Sequence, residues 1–274
     1  MTPSPIKAFV FDWAGTMVDY GSLAPVRALQ ALFAREGFTL SEAEARADMG
    51  MAKRAHIAAI LNRNPMRTVW RDTHGTDAGE ADLDRLLLDL APDMIDAAAA
   101  TADLIPGAAD LVGNLRGRGV RIGSGTGYSR EMMQAILPRA AAQGYSPDLV
   151  VCAGETPEGR PSPLMTWKAL VELGAWPARA CVKVDDAVVG IQEGREAGVW
   201  TIGVAASGNG TGLDMPSYAA LSPMLRNGRV SQARDGLLAA GADYVVDSVA
   251  DIAALLPELE ARITAGQRPG ATRT

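Results

Sequence analysis

Four short strings in this 274-residue chain carry side chains that can do chemistry together. Asp12 ends an apolar run. Ser124-Gly125-Thr126-Gly127 closes another and offers hydroxyls beside glycine amides. Arg160 sits in Gly159-Arg160-Pro161, and Asp185-Asp186 ends a further apolar run. Carboxylates are hard oxygen donors that can hold Mg²⁺. A guanidinium, a hydroxyl and backbone amides can hold a phosphoryl oxygen. Together these strings would supply both halves of a phosphoryl-transfer site. Each has a plainer reading as well. An Asp after a strand commonly caps a helix or turn, Asp185-Asp186 can cap the helix that follows, and Arg160 can be a solvated loop residue. The run from Gly123 to Gly127 has part of a dinucleotide fingerprint, but Tyr128 replaces its last glycine and the run does not follow the first strand. The four strings in this order argue for one shared site.

Such residues meet only if the chain brings them to one edge. Short apolar runs at 7–11, 120–124, 149–152, 181–184, 199–204 and 244–246 suit strands covered on both faces. Helical patterns at 131–142, 164–173 and 188–197 separate several of them. That alternation predicts a doubly wound, Rossmann-like parallel sheet with right-handed crossovers. Ligands in such sheets sit beyond the carboxyl ends of the strands, where all four strings fall. Residues 21–103 hold no convincing strand. Helices are expected there at 24–37, 41–48, 51–63 and 80–101, with Ser41 and Glu44 forming a capping box. Pro65 and Gly75 punctuate the set. The expected organisation is an α/β core of residues 1–20 and 104–265, a helical cap at 21–103 and a flexible tail at 266–274.

Composition narrows the class. An apolar fraction of 48% and a charged fraction of 21% exclude disorder as the main state. A net charge of −6 argues against a nucleic-acid-binding surface. The longest greasy stretch, around 94–105, is broken by Asp96 and Asp103, so no membrane span is expected. The first residues lack the order of a signal peptide. Cys152 and Cys181 lie in strand-like runs and read as small buried hydrophobes. The cytoplasm is the expected compartment.

Asp12-Trp13-Ala14-Gly15-Thr16 resembles the first motif of the haloacid dehalogenase (HAD) superfamily, and the other three strings fall where that superfamily has its remaining motifs. The helical insert after the first motif is similar to its type C1 cap. Within the superfamily the chain most resembles the phosphonatase (phosphonoacetaldehyde hydrolase) family. The resemblance rests on Phe11 to Thr16 with Val18-Asp19-Tyr20-Gly21, and on Met49-Gly50 with Lys53 and His56. It continues in Thr126 to Met133, Gly159-Arg160-Pro161 and Glu193 to Gly198.

The resemblance implies hydrolysis of the C–P bond of phosphonoacetaldehyde through a lysine Schiff base and an aspartyl phosphate. It implies Asp12 as nucleophile, Lys53 as the amine, and His56 as a proton shuttle. Thr126 and Arg160 would grip the phosphoryl group. Mg²⁺ would be held by Asp12, the backbone carbonyl of Ala14 and Asp186, with Asp185 either in support or as an alternative ligand. A homodimer acting on a small phosphonate is also implied. Two residues sharpen the expectation. Phosphatases of the superfamily place an acid two residues after the nucleophile to protonate an alkoxide; this chain has Ala14. A carbanion leaving group needs an electron sink instead, which an iminium supplies. Lys53 is one of only four lysines beside 22 arginines, and only lysine can become a neutral amine. Met49, Lys53 and His56 follow i, i+4, i+7 spacing, so they are expected on one helix face. Against the family pattern stand Ser22, Gly125, Ser162, Leu164, Ala187 and Gly190, which bear on the pocket lining. The alternative reading is a superfamily phosphatase acting on a small phosphate ester.

Overall fold

The computed structural model describes residues 4–270. A six-stranded, all-parallel sheet forms its centre. The strands are β1 (Ala8–Phe11), β2 (Arg121–Gly125), β3 (Leu149–Val151), β4 (Cys181–Asp185), β5 (Trp200–Val204) and β6 (Tyr244–Val246). Their order across the sheet is β3-β2-β1-β4-β5-β6. The chain thus builds outward on one side of β1, then returns and builds outward on the other. Every residue of β1, β4 and β5 is buried, as expected of apolar runs covered by helices on both faces. The described residues fit the α/β class with a doubly wound sheet.

Five helices lie between β1 and the return to the sheet: α1 (Ala24–Arg35), α2 (Glu42–Arg46), α3 (Lys53–Asn62), α4 (Met66–His74) and α5 (Glu80–Ala100). The rest follow as α6 (Ala108–Gly117), α7 (Arg130–Ala142), α8 (Leu164–Glu172), α9 (Val188–Ala197), α10 (Met215–Ala220), α11 (Pro223–Ala239) and α12 (Ile252–Thr264). The capping box of α2 is present: the Glu44 amide donates to Ser41 Oγ at 3.2 Å and the Ser41 amide to Glu44 Oε2 at 2.9 Å. Helix α2 is shorter than its pattern, and α3 begins at Lys53 rather than at 51. Helix α4 was hidden by its polar sequence. It buries only Met66 and Trp70, one turn apart. Both cysteines are buried and free. In the segment expected to be flexible, the Gly270 amide donates to Asp243 Oδ1 at 2.6 Å; residues 271–274 lie outside the described residues. No described helix is long and apolar enough to cross a membrane.

Helix α9 lies unusually close to the sheet because two glycines, one turn apart, face it. A Cβ on Gly194 would stand 2.7 Å from Thr201 Cγ2 and 2.9 Å from Lys183 Cβ, and a Cβ on Gly190 would run into the Asp185 carboxylate. The helix therefore presses directly on β4 and on the carboxylate at its end. We expect Gly194→Ala to lower unfolding stability by about 1–3 kcal/mol, as overpacking does in a close-packed interior. Urea denaturation followed by circular dichroism checks this; an unchanged midpoint would show that the helix can back away freely.

Candidate active site

Strand register sets the height of the site. Phe11 pairs with Ser124 on one side and Val184 on the other. Asp12, Gly125 and Asp185 consequently stand level at the carboxyl edge, where the strand order reverses around β1. Asp12 is fixed there by its amide, which donates to the Val184 carbonyl at 2.9 Å. The residue that follows β4 is Asp186. Together Asp12, Asp185 and Asp186 form a buried carboxylate cluster whose oxygens lie within 4.8 Å of one another.

Arg160 holds two members of this cluster, Asp12 and Asp185. Its side chain is 1% exposed. Nη1 pairs with Asp12 Oδ1 at 2.8 Å, Nη2 donates to the Gly125 carbonyl at 2.8 Å and approaches Asp185 Oδ2 at 3.4 Å, and Nε donates to Glu193 Oε2 at 2.9 Å. Behind it the wholly buried Lys183 reaches Asp185 at 3.1 Å and Glu193 at 3.3 Å, while Thr166 Oγ1 donates to Glu193 at 2.6 Å. Lys183 and Glu193 had no assigned role in the sequence reading. A lysine inside the apolar run Cys-Val-Lys-Val was the available signal, because a buried cation needs a partner.

The acids titrate abnormally. Burial raises the Asp12 carboxyl to about 6, with repulsion by Asp185 adding to the effect and Arg160 opposing it. Burial, then Asp12 and Asp185, push Asp186 well above the usual carboxylate range. Asp186 is nonetheless well held: Oδ2 accepts the Asn209 amide at 2.6 Å and Oδ1 the Thr16 hydroxyl at 3.4 Å. Gly15, at φ +82°, has no alternative, since a Cβ there would run into the Asp186 carboxylate. Asp185 also accepts the Ala187 amide at 3.1 Å, so it caps the turn into α9 as well as facing Arg160.

A small cavity joins this edge to the helical insert. Asp12, Ala14, Thr126, Arg160 and Asp186 line it from the sheet, and Met49, Gly50 and Lys53 from the insert. Five of the expected site side chains and the Ala14 backbone thus come together. Thr126 is buried, with Oγ1 accepting the Tyr128 amide at 3.1 Å. Ser124 lies within β2 and does not line the space. Tyr128 does, and its hydroxyl has no hydrogen-bond partner among the described residues. The cavity measures about 20 Å³, room for about one water molecule.

Lys53 is 4% exposed and its Nζ lies 5.8 Å from the centre of the Tyr128 ring. Burial lowers its pKa to about 8, Asp12 opposes that shift, and Arg160 reinforces it. As the first residue of α3, it also stands at the positive end of a helix, which disfavours an ammonium. The expected common helix face is corrected in part. Met49 precedes α3, separated from it by Gly50 at φ +92°, so a turn rather than a helical stripe brings Met49 beside Lys53. His56 does lie on α3, but it is fully buried and does not line the cavity. Among the described residues neither ring nitrogen has a hydrogen bond of ordinary geometry, although the Ala45 backbone stands near enough to favour its charge. Burial, then Lys53, lower its pKa to about 3, leaving the imidazole neutral.

Residues 6–198 match the haloacid dehalogenase-like hydrolase family. The chain is 49% identical over 264 residues to a phosphonoacetaldehyde hydrolase of Paraburkholderia phytofirmans, covering 96% of this chain and 99% of the relative. It is 43% identical to a phosphonoacetaldehyde hydrolase of Hahella chejuensis, covering 98% and 91%. The crystal structure of a phosphonoacetaldehyde hydrolase-like protein from Oleispira antarctica superposes with a TM-score of 0.95 at 39% identity, covering 98% of both chains.

The Lys53 amine is expected to be alkylated reductively, by formaldehyde and cyanoborohydride, with a pH midpoint near 8. Asp12→Asn removes the negative charge that favours the ammonium, so the midpoint should fall further. Peptide mass spectrometry resolves Lys53 from the other three lysines. A midpoint close to the ordinary lysine value of about 10.4 would contradict this account.

Proposed function

The chain belongs to the haloacid dehalogenase-like hydrolases and, within them, to the phosphonoacetaldehyde hydrolase family, and on that premise we propose that its site cleaves the C–P bond of phosphonoacetaldehyde to give acetaldehyde and phosphate. A single pairing carries the proposal. The carboxylate of Asp12 and the low-pKa amine of Lys53 line one small cavity, and Ala14 stands where a phosphatase needs its acid.

In the proposed reaction the neutral Lys53 amine attacks the aldehyde carbon, and water leaves to form an iminium. Arg160 and Thr126 hold the phosphonate oxygens. An Asp12 oxygen attacks phosphorus, the C–P bond breaks, and its electron pair moves into the iminium to give an enamine. Water hydrolyses the aspartyl phosphate. The enamine is protonated at carbon, and hydrolysis of the resulting imine releases acetaldehyde and returns the Lys53 amine. The overall balance is one water consumed for each acetaldehyde and phosphate formed. His56, buried one turn along α3 from Lys53 and neutral, is proposed to carry protons during imine exchange.

The donor set suits Mg²⁺, since the site offers hard carboxylate oxygens with more formal negative than positive charge. Asp12, Asp186 and the Ala14 carbonyl would hold the ion, and Asp185, engaged by Arg160 and Lys183, would support them from behind. Bound there, Mg²⁺ would polarise the phosphoryl oxygens and offset the repulsion among the carboxylates.

The cavity is too small for the substrate, so we take residues 21–103 as a cap that lifts from the core of residues 1–20 and 104–265. We also read the protein as a cytoplasmic homodimer. The exposed side chains of Trp167 and Val171 on one face of α8, with Trp176 beyond it, offer an apolar contact surface.

The purified protein is expected to release acetaldehyde and phosphate from phosphonoacetaldehyde in equal amounts. Chelation should abolish turnover and Mg²⁺ restore it. Lys53→Arg should lower turnover by about 10³-fold or more and end borohydride trapping of the substrate, because a guanidinium cannot form the imine. Asp12→Asn should be equally inactive yet still be trapped at Lys53. Acetaldehyde release by Lys53→Arg would put the phosphatase reading ahead.

As imine formation needs a neutral amine, trapping of wild-type protein with substrate and borohydride should rise with pH and level off above about 8. A rate that falls over that range would remove Lys53 from the role.

A further inference from the structure

Arg46, in the last turn of α2, sends its guanidinium out of the helical insert into the loop after β5. Its side chain is 12% exposed. Nη1 donates to the Gly21 carbonyl at 2.9 Å, the Ser22 carbonyl at 3.3 Å and Asn209 Oδ1 at 3.0 Å, and Nη2 donates to the Gly212 carbonyl at 3.0 Å. Nε is held by Glu42 at 2.8 Å. The loop is shaped around this group: Gly212 has φ +70°, and a Cβ there would stand 2.8 Å from Arg46 Nε. Lysine, with one point charge and no fork, could not make this set of bonds.

Asn209 is bonded in both directions. Its side chain accepts from Arg46 and returns a bond from Nδ2 to the Arg46 carbonyl at 3.3 Å. Its own amide donates to Asp186 Oδ2 at 2.6 Å. Soon after Arg46 come Met49 and Gly50, which close the cavity. A Cβ on Gly50 would stand 2.9 Å from Ala187 Cβ and 2.8 Å from Val189 Cγ2, so this turn rests on the residues that follow Asp186. The segment 46–50 is thus fastened at one end through Asn209 and lies at the other against the start of α9.

We infer that Arg46 and Asn209 form a latch that couples docking of residues 46–50 over the cavity to the orientation of Asp186. Docking fixes Asn209, and Asn209 aims its amide at the carboxylate. The 207–212 loop stays tied to the core through Ser207 and Thr211, so lifting the insert takes Arg46 away and loosens Asn209 alone, whose amide then points less firmly at Asp186. Arg46 touches no reacting atom and acts as a positioning residue. Such coupling is reciprocal: a ligand that prefers Asp186 in this orientation must also favour the docked insert. The kinetic arm of the test rests on the proposed C–P cleavage; the exchange arm does not.

The exchange arm follows amide hydrogen exchange of the full chain by mass spectrometry, with and without Mg²⁺ alone. In the wild type, Mg²⁺ should slow exchange in residues 47–62 by about threefold or more. Arg46→Gln, Arg46→Lys and Asn209→Ala should each raise exchange of that segment without Mg²⁺ and lose most of the Mg²⁺-dependent protection. Arg46→Lys keeps the charge and disturbs the fold least. In the kinetic arm the same variants should lose about tenfold in kcat with a smaller change in KM. Mg²⁺-dependent protection that persists in all three variants would overturn the latch, whatever their activity. So would a wild type whose segment Mg²⁺ does not protect. A wild type inactive on phosphonoacetaldehyde, but with protection lost in the variants, would refute the functional reading and leave the latch standing.

Discussion

The buried guanidinium of Arg160 is the constraint on which the rest of the site depends. Asp12, Asp185 and Glu193 all pair with it, and none of them has much contact with water. Charges of one sign collect in a low-dielectric interior only where cations, hydrogen bonds or a raised pKa offset them, and Arg160 supplies the cation for these three. Arginine can do this because its donors diverge in a plane, and here they address Asp12, the Gly125 carbonyl and Glu193 from one fixed position. Lys183 adds a second cation from below. The fold meets the demand through geometry. Parallel strands in level register put Asp12 and Asp185 side by side, and a glycine-faced helix comes close enough for Glu193 to reach both cations.

The same balance governs the amine. Asp12 favours a charged Lys53, whereas burial and Arg160 disfavour it, and burial dominates. An aspartate at position 14 would line the same cavity and set another carboxylate against that shift. Ala14 therefore does two compatible things. It removes an acid that a carbon leaving group cannot use, and it leaves the lysine in surroundings where a neutral amine is accessible near pH 8. The absence of one carboxylate and the reactivity of one amine belong to a single electrostatic arrangement.

What was legible in the sequence follows from this geometry. Asp12, Thr126, Arg160 and Asp186 could be picked out because strand ends in a parallel sheet converge, so position along a strand predicts position in space. Lys183 and Glu193 could not be given roles from local pattern. One is a strand interior residue and the other a helix residue, and they meet only because α9 packs closely on β4. Asn209 was invisible for a similar reason: it lies in a loop, and its importance comes from bonds to residues far away in the chain. The helical spacing of Met49, Lys53 and His56 misled in part because residues 47–50 form a turn that ends in Gly50 at positive φ, where periodicity suggested a helix. Helix α4 escaped because two buried side chains are too few to make an apolar stripe.

If Lys53 is the amine and Asp12 the nucleophile, as proposed, their placement on the helical insert and on the sheet edge would have a consequence for turnover. In the proposed reaction the imine binds the substrate covalently to Lys53 on the insert, while Arg160 and Asp12 hold its phosphoryl end on the sheet. Before cleavage the substrate is itself a strut between the two units, and it adds to the hydrogen bonds that keep the cavity closed. Breaking the C–P bond cuts that strut. The two-carbon fragment then remains with the insert and the phosphoryl group with the sheet. In that proposal closure would be supported while the site must exclude water from the carbanion-like electrons, and that support would be lost at the step after which water is required. A single-body site with both groups on the sheet edge would have no such link between chemistry and opening.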